Sequence, residues 1–118
     1  MYMEFQASLF MKMEKLPKMT QDELNQRIAT GNYVLFFTAD WCPDCNFIKP
    51  AMPEIERDFS DYQFLLVDRD ENIDLAADLG IMGIPSFVVY KDGKEAGRFV
   101  NKDRKTKDQV EDFLNSLN

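Results

Sequence analysis

An uninterrupted apolar run that leads directly into a pair of cysteines constrains the fold of this chain more than any other feature. Residues 33–38 contain no charged side chain, and the segment Trp41-Cys42-Pro43-Asp44-Cys45 follows them. A strand that lacks polar alternation is typical of a parallel sheet whose two faces are both covered by helices. We therefore expect an α/β fold in which a central strand ends just before the cysteines.

The spacing of the two cysteines predicts a thiol–disulfide exchange centre. Two cysteines three residues apart on one helical turn are close enough to form a small disulfide ring. Cys42 would be the N-cap of the following helix, where unpaired N–H groups and the positive end of the helix dipole stabilise a thiolate. Pro43 suits the first helical position, because an N–H there would have no helical partner. Only the thiolate form of a cysteine acts as a nucleophile.

These positions assign a role to each cysteine. Open α/β sheets carry their sites at the carboxyl ends of the strands, so we expect Cys42 to be exposed and Cys45 to point back into the helix. Cys42 would attack a substrate disulfide, and Cys45 would then resolve the mixed disulfide and release the reduced substrate. The Asp44 carboxylate would repel the Cys42 thiolate, which favours a reductase over a disulfide donor.

Two other interpretations of the cysteine pair stay open on the residues alone. The pair could form a static structural disulfide or stay as two buried thiols. Metal binding is disfavoured, because two cysteines and no histidine cannot complete a four-ligand zinc or iron–sulfur site without a second chain. We therefore expect no metal and no other cofactor.

The length and the charge of the chain limit its organisation and its partners. With 118 residues, 45 % of them hydrophobic, it suits one domain, which we place at residues 14–118 after an N-terminal extension at residues 1–13. The net charge of −7 disfavours nucleic acid and anionic membranes as partners. No segment approaches the roughly 20 apolar residues that span a bilayer. The N-terminus lacks the pattern of a secretory signal, so we expect a cytoplasmic location.

The remaining patterns complete a central mixed β-sheet flanked by helices on both faces. Thr20 and Glu23 form a capping-box pattern before a helix of about ten residues that ends at Gly31. Pro50 should kink the helix that follows the cysteines. The predicted order is β-α-β-α-β-α-β-β-α. The other strands are expected near residues 13–16, 62–67, 86–90 and 95–100, with Asp92-Gly93 in a primed hairpin turn and a last helix from Thr106.

A second element near the site is the segment Gly83-Ile84-Pro85-Ser86, which directly precedes a predicted strand. A proline at such a position can adopt the cis form. A cis-proline loop that faces the cysteines would offer the Ile84 backbone to an extended substrate peptide. The sequence does not show which isomer is present.

Together these segments resemble the thioredoxin family over about residues 14–118. The matching segments are residues 37–45, Pro50, residues 83–86 and residues 90–93. The resemblance implies the thioredoxin-like fold, reductase activity on disulfide-containing protein substrates, and reduction by a thioredoxin reductase-type electron donor. By the same resemblance, four residues would bind substrate: Trp41, Pro43, Ile84 and Pro85.

The chain departs from the thioredoxin pattern beneath the cysteines. Phe36 stands where thioredoxins bury an aspartate that accepts the proton of the resolving thiol. Leu66 stands where the lysine partner of that aspartate usually lies. Asp44, Asp40 or water would then deprotonate Cys45, and we predict that Asp44 does so.

A further departure lies in the substrate groove. Asn101 stands where the family often has glycine, so it would add bulk beside the site and contact substrate. Four basic residues follow it: Lys102, Arg104, Lys105 and Lys107. Such a cluster would select acidic substrates, although charges in a loop of this kind are more often simply solvated.

Two classes of function fit these residues. The first is an enzyme, a protein-disulfide reductase that uses the Cys42–Cys45 couple. It would be general, or narrow in substrate range like some thioredoxin-related proteins with Pro-Asp between the cysteines. The second is a redox-regulated binding module of the same fold, which holds a partner in one redox state and releases it in the other. Repeated turnover of a protein disulfide distinguishes the two classes, whereas an oxidase or isomerase would require an export signal.

Overall fold

A five-stranded mixed sheet forms the centre of the structure, a computed structural model that describes residues 13–118. Its strands are β1 (Glu14–Lys15), β2 (Asn32–Thr38), β3 (Gln63–Asp68), β4 (Ser86–Lys91) and β5 (Lys94–Phe99). They lie in the order β1-β3-β2-β4-β5. β1, β2 and β3 run parallel, whereas β4 is antiparallel to β2 and β5 is antiparallel to β4. The mixed sheet confirms the predicted fold class.

The predicted first strand is present but short. β1 has two residues and pairs in parallel with β3. Residues 1–12, which make up most of the predicted N-terminal extension, lie outside the described residues. The boundary between residues 13 and 14 therefore stays a prediction.

Helices cover both faces of the sheet in the described part of the chain. They are α1 (Gln21–Arg27), α2 (Pro43–Ile48), α3 (Met52–Asp58), α4 (Ile73–Asp78) and α5 (Lys107–Asn115). The capping box before α1 forms as predicted, with Thr20 accepting from the Glu23 N–H, and a second one with Thr106 and Gln109 begins α5. Among residues 13–118 no helix has the length and apolarity needed to cross a bilayer.

The first helix ends earlier than its sequence pattern predicts. α1 has seven residues, fewer than expected. The N–H of Ile28 still bonds to the Leu24 carbonyl, after which the chain leaves the helix and turns at Gly31, where φ is +103°. A positive φ favours glycine, so Gly31 marks the turn into β2 and not the helix cap itself.

The central strand is buried on both faces, as its apolar run predicts. Leu35 and Phe37 face one layer of the core, which contains side chains of α1 and α4. Val34 and Phe36 face the other layer, which contains side chains of α2, α3 and α5. All four side chains are fully buried. β2 is therefore anchored between the two core layers, and it holds the cysteines that follow it at a fixed position.

Pro50 interrupts the helical segment that begins at the cysteines. A short 3₁₀ stretch, Lys49–Ala51, separates α2 from α3. Proline has no N–H to donate and clashes with the preceding turn of a helix, so the interruption falls where the sequence predicts it. α2 is left as a short helix that carries Cys45, and α3 buries Met52 and Ile55.

The late hairpin has the predicted primed turn and an unpredicted irregularity. Asp92 and Gly93 both have positive φ, +50° and +82°, which is the signature of the tight turn that Asp-Gly favours. The register of the two strands shifts between Val89 and Tyr90. Gly97 lies opposite Val89, and a Cβ at Gly97 would come within 2.7 Å of a methyl group of Leu117. The C-terminus thus packs over the shifted part of the hairpin, a contact that no local pattern encodes.

Candidate active site

The two cysteines lie at the junction of β2 and α2. Cys42 is the N-cap of α2, and its sulfur accepts a hydrogen bond from the Cys45 N–H at 3.2 Å. Pro43 opens the helix, as predicted. Both cysteines are free thiols in this structure. The arrangement places the Cys42 sulfur at the end of the helix where backbone N–H groups stabilise a thiolate.

Cys42 is much less exposed than the sequence analysis expected. Its exposed fraction is 4 %, and Cys45 is fully buried. The expectation of an exposed Cys42 is therefore wrong. The reason is tertiary: the residue packs into the core layer of α1 and α4 together with Ile84, and its sulfur lies 4.0 Å from the Ile84 carbonyl oxygen.

The segment that covers Cys42 is the predicted proline loop. The Ile84–Pro85 peptide bond is cis, and the Ser86 hydroxyl donates to the Gly83 carbonyl at 2.6 Å. Gly83 packs directly on another loop, since a Cβ there would lie 2.5 Å from the backbone nitrogen of Lys102. The loop after β5 therefore holds the proline loop against the cysteines.

Trp41 stands beside the cysteines as a large exposed ring. It is 61 % exposed, and its indole N–H donates to an Asp70 carboxylate oxygen at 2.6 Å. The Arg69 guanidinium lies 5.6 Å from the ring centroid and also bonds to Asp70. Asp70 and Arg69 were not predicted as parts of the site. Both residues follow the end of β3. Because β3 is parallel to β2, the carboxyl ends of the two strands are neighbours, and this relation could have placed the two residues at the site.

Asp44 does not present a free carboxylate next to Cys42. Arg104, from the loop before α5, donates to it at 2.8 Å. The same guanidinium lies over the Phe47 ring, 4.4 Å from its centroid. This cation partly offsets the charge that was expected to repel the Cys42 thiolate, and it connects α2 to the loop before α5.

The basic residues after Asn101 do not form one exposed patch. Lys105 is 1 % exposed, and its ammonium group donates to the Asn101 side chain at 2.9 Å and to the Asp103 carbonyl at 2.8 Å. Burial lowers the pKa of Lys105. Lys107 is paired with carboxylates on α3 and α5. Lys105 and Lys107 therefore hold the loop in place, and the Asn101 side chain accepts a hydrogen bond from the buried Lys105.

The resolving cysteine has a strongly raised pKa. Burial, and then the hydrogen bond with Cys42, raise the pKa of Cys45 to about 11, while the Thr38 hydroxyl and the Ala39 backbone act in the opposite direction. Phe36 has no carboxylate that could accept the Cys45 proton. Its ring is stacked on Phe87, with centroids 5.0 Å apart. Thr38 is thus a polar neighbour of Cys45 that sequence analysis overlooked.

Similarity to known proteins establishes the family of this chain. The family model described as thioredoxin matches residues 15–116. The chain belongs to the thioredoxin family. Thioredoxin H2-1 of Oryza sativa subsp. japonica is 37 % identical over 89 residues, a match that covers 75 % of this chain and 62 % of that protein. The thioredoxin of Staphylococcus epidermidis is 33 % identical over 84 residues, covering 70 % of this chain and 81 % of its own length.

Solved structures of thioredoxins have the same fold. The crystal structure of Fasciola hepatica thioredoxin superposes with a TM-score of 0.74 at 28 % identity, and covers 90 % of this chain and all of that one. The thioredoxin of Trypanosoma brucei brucei superposes with a TM-score of 0.77 at 20 % identity, a likeness that bears on the fold alone. The match to Thioredoxin H2-1 spans less than two-thirds of that relative's own length.

Proposed function

We propose that this thioredoxin-family chain is a thiol–disulfide oxidoreductase that reduces protein disulfides through the Cys42–Cys45 couple. The observation that carries the proposal is the position of Cys42. Its sulfur is at the N-cap of α2, accepts the Cys45 N–H at 3.2 Å, and faces the Ile84 carbonyl in the proline loop. Membership of the thioredoxin family supports the same chemistry.

The reaction proceeds in two exchange steps. The Cys42 thiolate attacks one sulfur of a substrate disulfide, so a bond forms between that sulfur and Cys42 while the other substrate sulfur leaves as a thiolate. The Cys45 thiolate then attacks the Cys42 sulfur, and the bond to the substrate breaks with its electron pair going to the substrate. The substrate gains two electrons, and the protein ends with a Cys42–Cys45 disulfide.

The substrate chain would lie between Trp41 and the proline loop. Trp41 is largely exposed beside Cys42, and the Ile84 backbone offers polar groups to an extended peptide. We assign substrate contact to five residues: Trp41, Pro43, Ile84, Pro85 and Asn101. The 4 % exposure of Cys42 supports a narrow substrate range, because a substrate must fit closely to reach its sulfur.

Asp44 is our predicted proton acceptor for Cys45. It sits between the two cysteines in the chain, in the first turn of α2, and its carboxylate is paired with Arg104 at 2.8 Å. Asp44→Ala should slow the release of substrate from the mixed disulfide. Equal release rates for Asp44→Ala and the unsubstituted chain at every pH would remove Asp44 from this role.

The oxidised protein needs an electron donor, and we propose a thioredoxin reductase-type enzyme in the cytoplasm. The reduction potential of the Cys42–Cys45 couple, equilibrated against glutathione, should be near the roughly −270 mV of reducing thioredoxins. A potential near about −120 mV, where strong oxidants lie, would contradict a reductase.

Turnover tests the proposed activity directly. The protein should reduce a protein disulfide many times per chain when a thioredoxin reductase and NADPH are supplied. Cys42→Ser should abolish the reaction, and Cys45→Ser should accumulate the mixed disulfide. Stoichiometric capture of a partner without turnover by the unsubstituted chain would instead identify a redox-regulated binding module.

A further inference from the structure

A buried lysine lies in the loop that follows β5, and the exchange steps described above do not use it. Lys105 is 1 % exposed, although lysine is almost never fully buried unless its charge is compensated. Burial of a charge is costly unless hydrogen bonds replace those that water would make. The groups that contact the Lys105 ammonium are therefore held in place by the charge that they solvate.

One short loop supplies three hydrogen-bond acceptors to this charge. The Lys105 ammonium donates to the Asn101 side-chain oxygen at 2.9 Å, to the Asn101 carbonyl at 3.3 Å and to the Asp103 carbonyl at 2.8 Å. An ammonium group has three N–H donors, so the charged form satisfies all three acceptors. The Phe99 ring, whose centroid lies 5.0 Å from the nitrogen, favours the same cation. A movement of residues 101–103 would leave this charge without its partners.

The loop that solvates the lysine also supports the proline loop. The Asn101 carbonyl, which accepts from Lys105, lies 3.4 Å from the Ser86 hydroxyl, and that hydroxyl donates to the Gly83 carbonyl at 2.6 Å. A Cβ at Gly83 would lie 2.7 Å from the Asn101 carbonyl carbon, so the two backbones are in direct contact. The position of residues 101–103 therefore determines where the proline loop lies.

The supported segment is the one that we propose receives the substrate. Ile84 follows Gly83, and its carbonyl oxygen lies 4.0 Å from the Cys42 sulfur. A peptide that bonds to the Ile84 backbone is aligned with Cys42 only while that backbone is held in one position. Cys42 is itself 4 % exposed, so a small displacement of the proline loop changes how a protein disulfide meets its sulfur.

We propose that Lys105 is a positioning residue for the substrate groove. Its buried ammonium fixes residues 101–103, and these residues fix the Ile84 backbone that binds the substrate chain. Lys105 acts through the loop and not on the reacting sulfurs. Its effect is therefore large for protein substrates, which bind along the groove, and small for a disulfide that reaches Cys42 without the groove. This inference rests on the proposed function.

Lys107 provides a matched control two residues further along the chain. It carries the same charge, but its ammonium is paired with carboxylates on α3 and α5. Lys105→Met and Lys107→Met change the net charge equally, and only Lys105→Met removes the hydrogen bonds to residues 101–103. A difference between the two variants therefore reports on the loop and not on the total charge.

The test measures single-turnover reaction of the reduced protein with two disulfides. One is insulin, a protein substrate, and the other is dithiodipyridine, a small neutral disulfide. Oxidation of the couple is followed by the fluorescence of Trp41, the single tryptophan of the chain. A misplacement of about 1 Å can cost up to about 100-fold in rate, so partial release of the loop in Lys105→Met should lower the insulin rate constant about three- to tenfold. The dithiodipyridine rate constant, and both rate constants in Lys107→Met, should stay nearly unchanged.

Two further measurements separate positioning from a change in charge or in folding. The pH profile of Cys42 alkylation should be the same in Lys105→Met and in the unsubstituted chain. Amide hydrogen exchange in residues 83–86 and 101–103 should be faster in Lys105→Met than in Lys107→Met, because those segments open more easily. Lys105→Gln retains two N–H donors without the charge, so its insulin rate and its exchange should lie between the other two chains. It takes the place of Lys105→Met if that variant does not fold.

Each of four results would overturn the inference. An unchanged insulin rate in Lys105→Met would mean that the groove does not need the lysine. Equal slowing with insulin and with dithiodipyridine, or a displaced alkylation profile, would mean that Lys105 acts on Cys42 itself. Unchanged hydrogen exchange in residues 83–86 would mean that the proline loop does not depend on it. Failure of the proposed function is seen separately, because in that case the unsubstituted chain does not reduce insulin.

Discussion

At the scale of single residues, the two thiols differ in environment although they are three positions apart. Cys42 accepts a backbone N–H, whereas Cys45 is fully buried and burial raises its pKa to about 11. Near neutral pH only a small fraction of Cys45 is thiolate. The resolving step, not the first attack, should therefore govern how the reaction responds to pH.

A direct consequence is that release from the mixed disulfide should accelerate with pH. Burial keeps the pKa of Cys45 raised, and below that pKa the thiolate fraction grows about tenfold per pH unit, so the release rate should rise steeply from pH 6 and continue to rise above pH 8. Stopped-flow measurement on the preformed mixed disulfide gives the profile. A rate that levels off near pH 7 would mean that Cys45 ionises far more easily in the mixed disulfide than its buried position indicates.

Arg104 should influence the reduction potential through Asp44. Arg104→Gln leaves the Asp44 carboxylate unpaired beside Cys42, which disfavours the thiolate and hence the reduced form. The potential should become more negative by about 10–20 mV, the size that an exposed ion pair supports. Glutathione equilibration measures the shift. In the Asp44→Asn background the same substitution should have no effect, and a shift that persists there would point to the stacking of Arg104 on Phe47 instead.

The residue scale also shows what sequence could and could not reveal. The N-cap position of Cys42 and the place of Pro43 follow from local spacing, and both were predicted. The burial of Cys42, the bond from Trp41 to Asp70, and the ion pair of Asp44 were not. Each depends on loops that are distant in the chain and meet only after the sheet has formed.

At the scale of elements, prediction succeeded where a local pattern fixes the backbone. The capping box at Thr20, the break at Pro50 and the primed turn at Asp92-Gly93 all depend on a few neighbouring residues. The early end of α1 and the register shift at Val89 do not. Both reflect packing against other parts of the chain, which overrides local preference.

The contact between the proline loop and the loop before α5 should not tolerate a side chain at Gly83. In Gly83→Ala the new methyl group would meet backbone atoms of Asn101 and Lys102 at 2.5–2.7 Å, so the loops must separate. We expect a loss of about 1–3 kcal/mol in the free energy of unfolding, together with slower substrate reduction. Gly97→Ala is the matched control, because its methyl group meets only the flexible end of Leu117. Equal losses in the two variants would contradict the rigid contact.

The packing of α3 on α5 should weaken as pH rises. Burial, and secondly the Asp58 carboxylate, raise the pKa of Glu111, while Lys107 acts against them; Glu54 is also within reach of Lys107. An acid whose folded pKa is raised stabilises the protein fully below its unfolded value and loses that contribution as pH rises through the folded value. The urea midpoint of the unsubstituted chain should therefore decrease above about pH 4.5. Glu111→Gln should abolish that decrease. The unsubstituted chain and the variant are compared from pH 4 to 8, and parallel curves would rule out Glu111 as the source.

At the scale of the whole molecule, the redox state and the stability of the fold are linked. If the folded couple is more reducing than the same cysteines in the unfolded chain, the oxidised protein must be the more stable form, by about 1.4 kcal/mol for every 30 mV. We expect this order, because the buried Cys45 thiol gives the reduced form little stabilisation as a thiolate. Urea unfolding of the oxidised and reduced protein measures it. A more stable reduced form would identify an oxidant.

The overall architecture was the most predictable level of description. A buried central strand, short connections and one late hairpin leave few ways to build the sheet, and the expected mixed order was found. The assembly of the site was less predictable. It combines residues 41–45, 69–70, 83–86 and 101–105. The sequence, with the family resemblance, indicates three of these segments as parts of one site and does not indicate residues 69–70.

The charged outer strand of the sheet has a consequence for how the protein behaves at high concentration. β5 is an edge strand, and it carries Lys94 together with the ion pair of Glu95 and Arg98 at 2.7 Å. Charges on an edge strand oppose the addition of a further strand from another molecule. We therefore expect the β5 edge to stay unpaired at high concentration, so that copies of the protein do not join edge to edge into larger sheets.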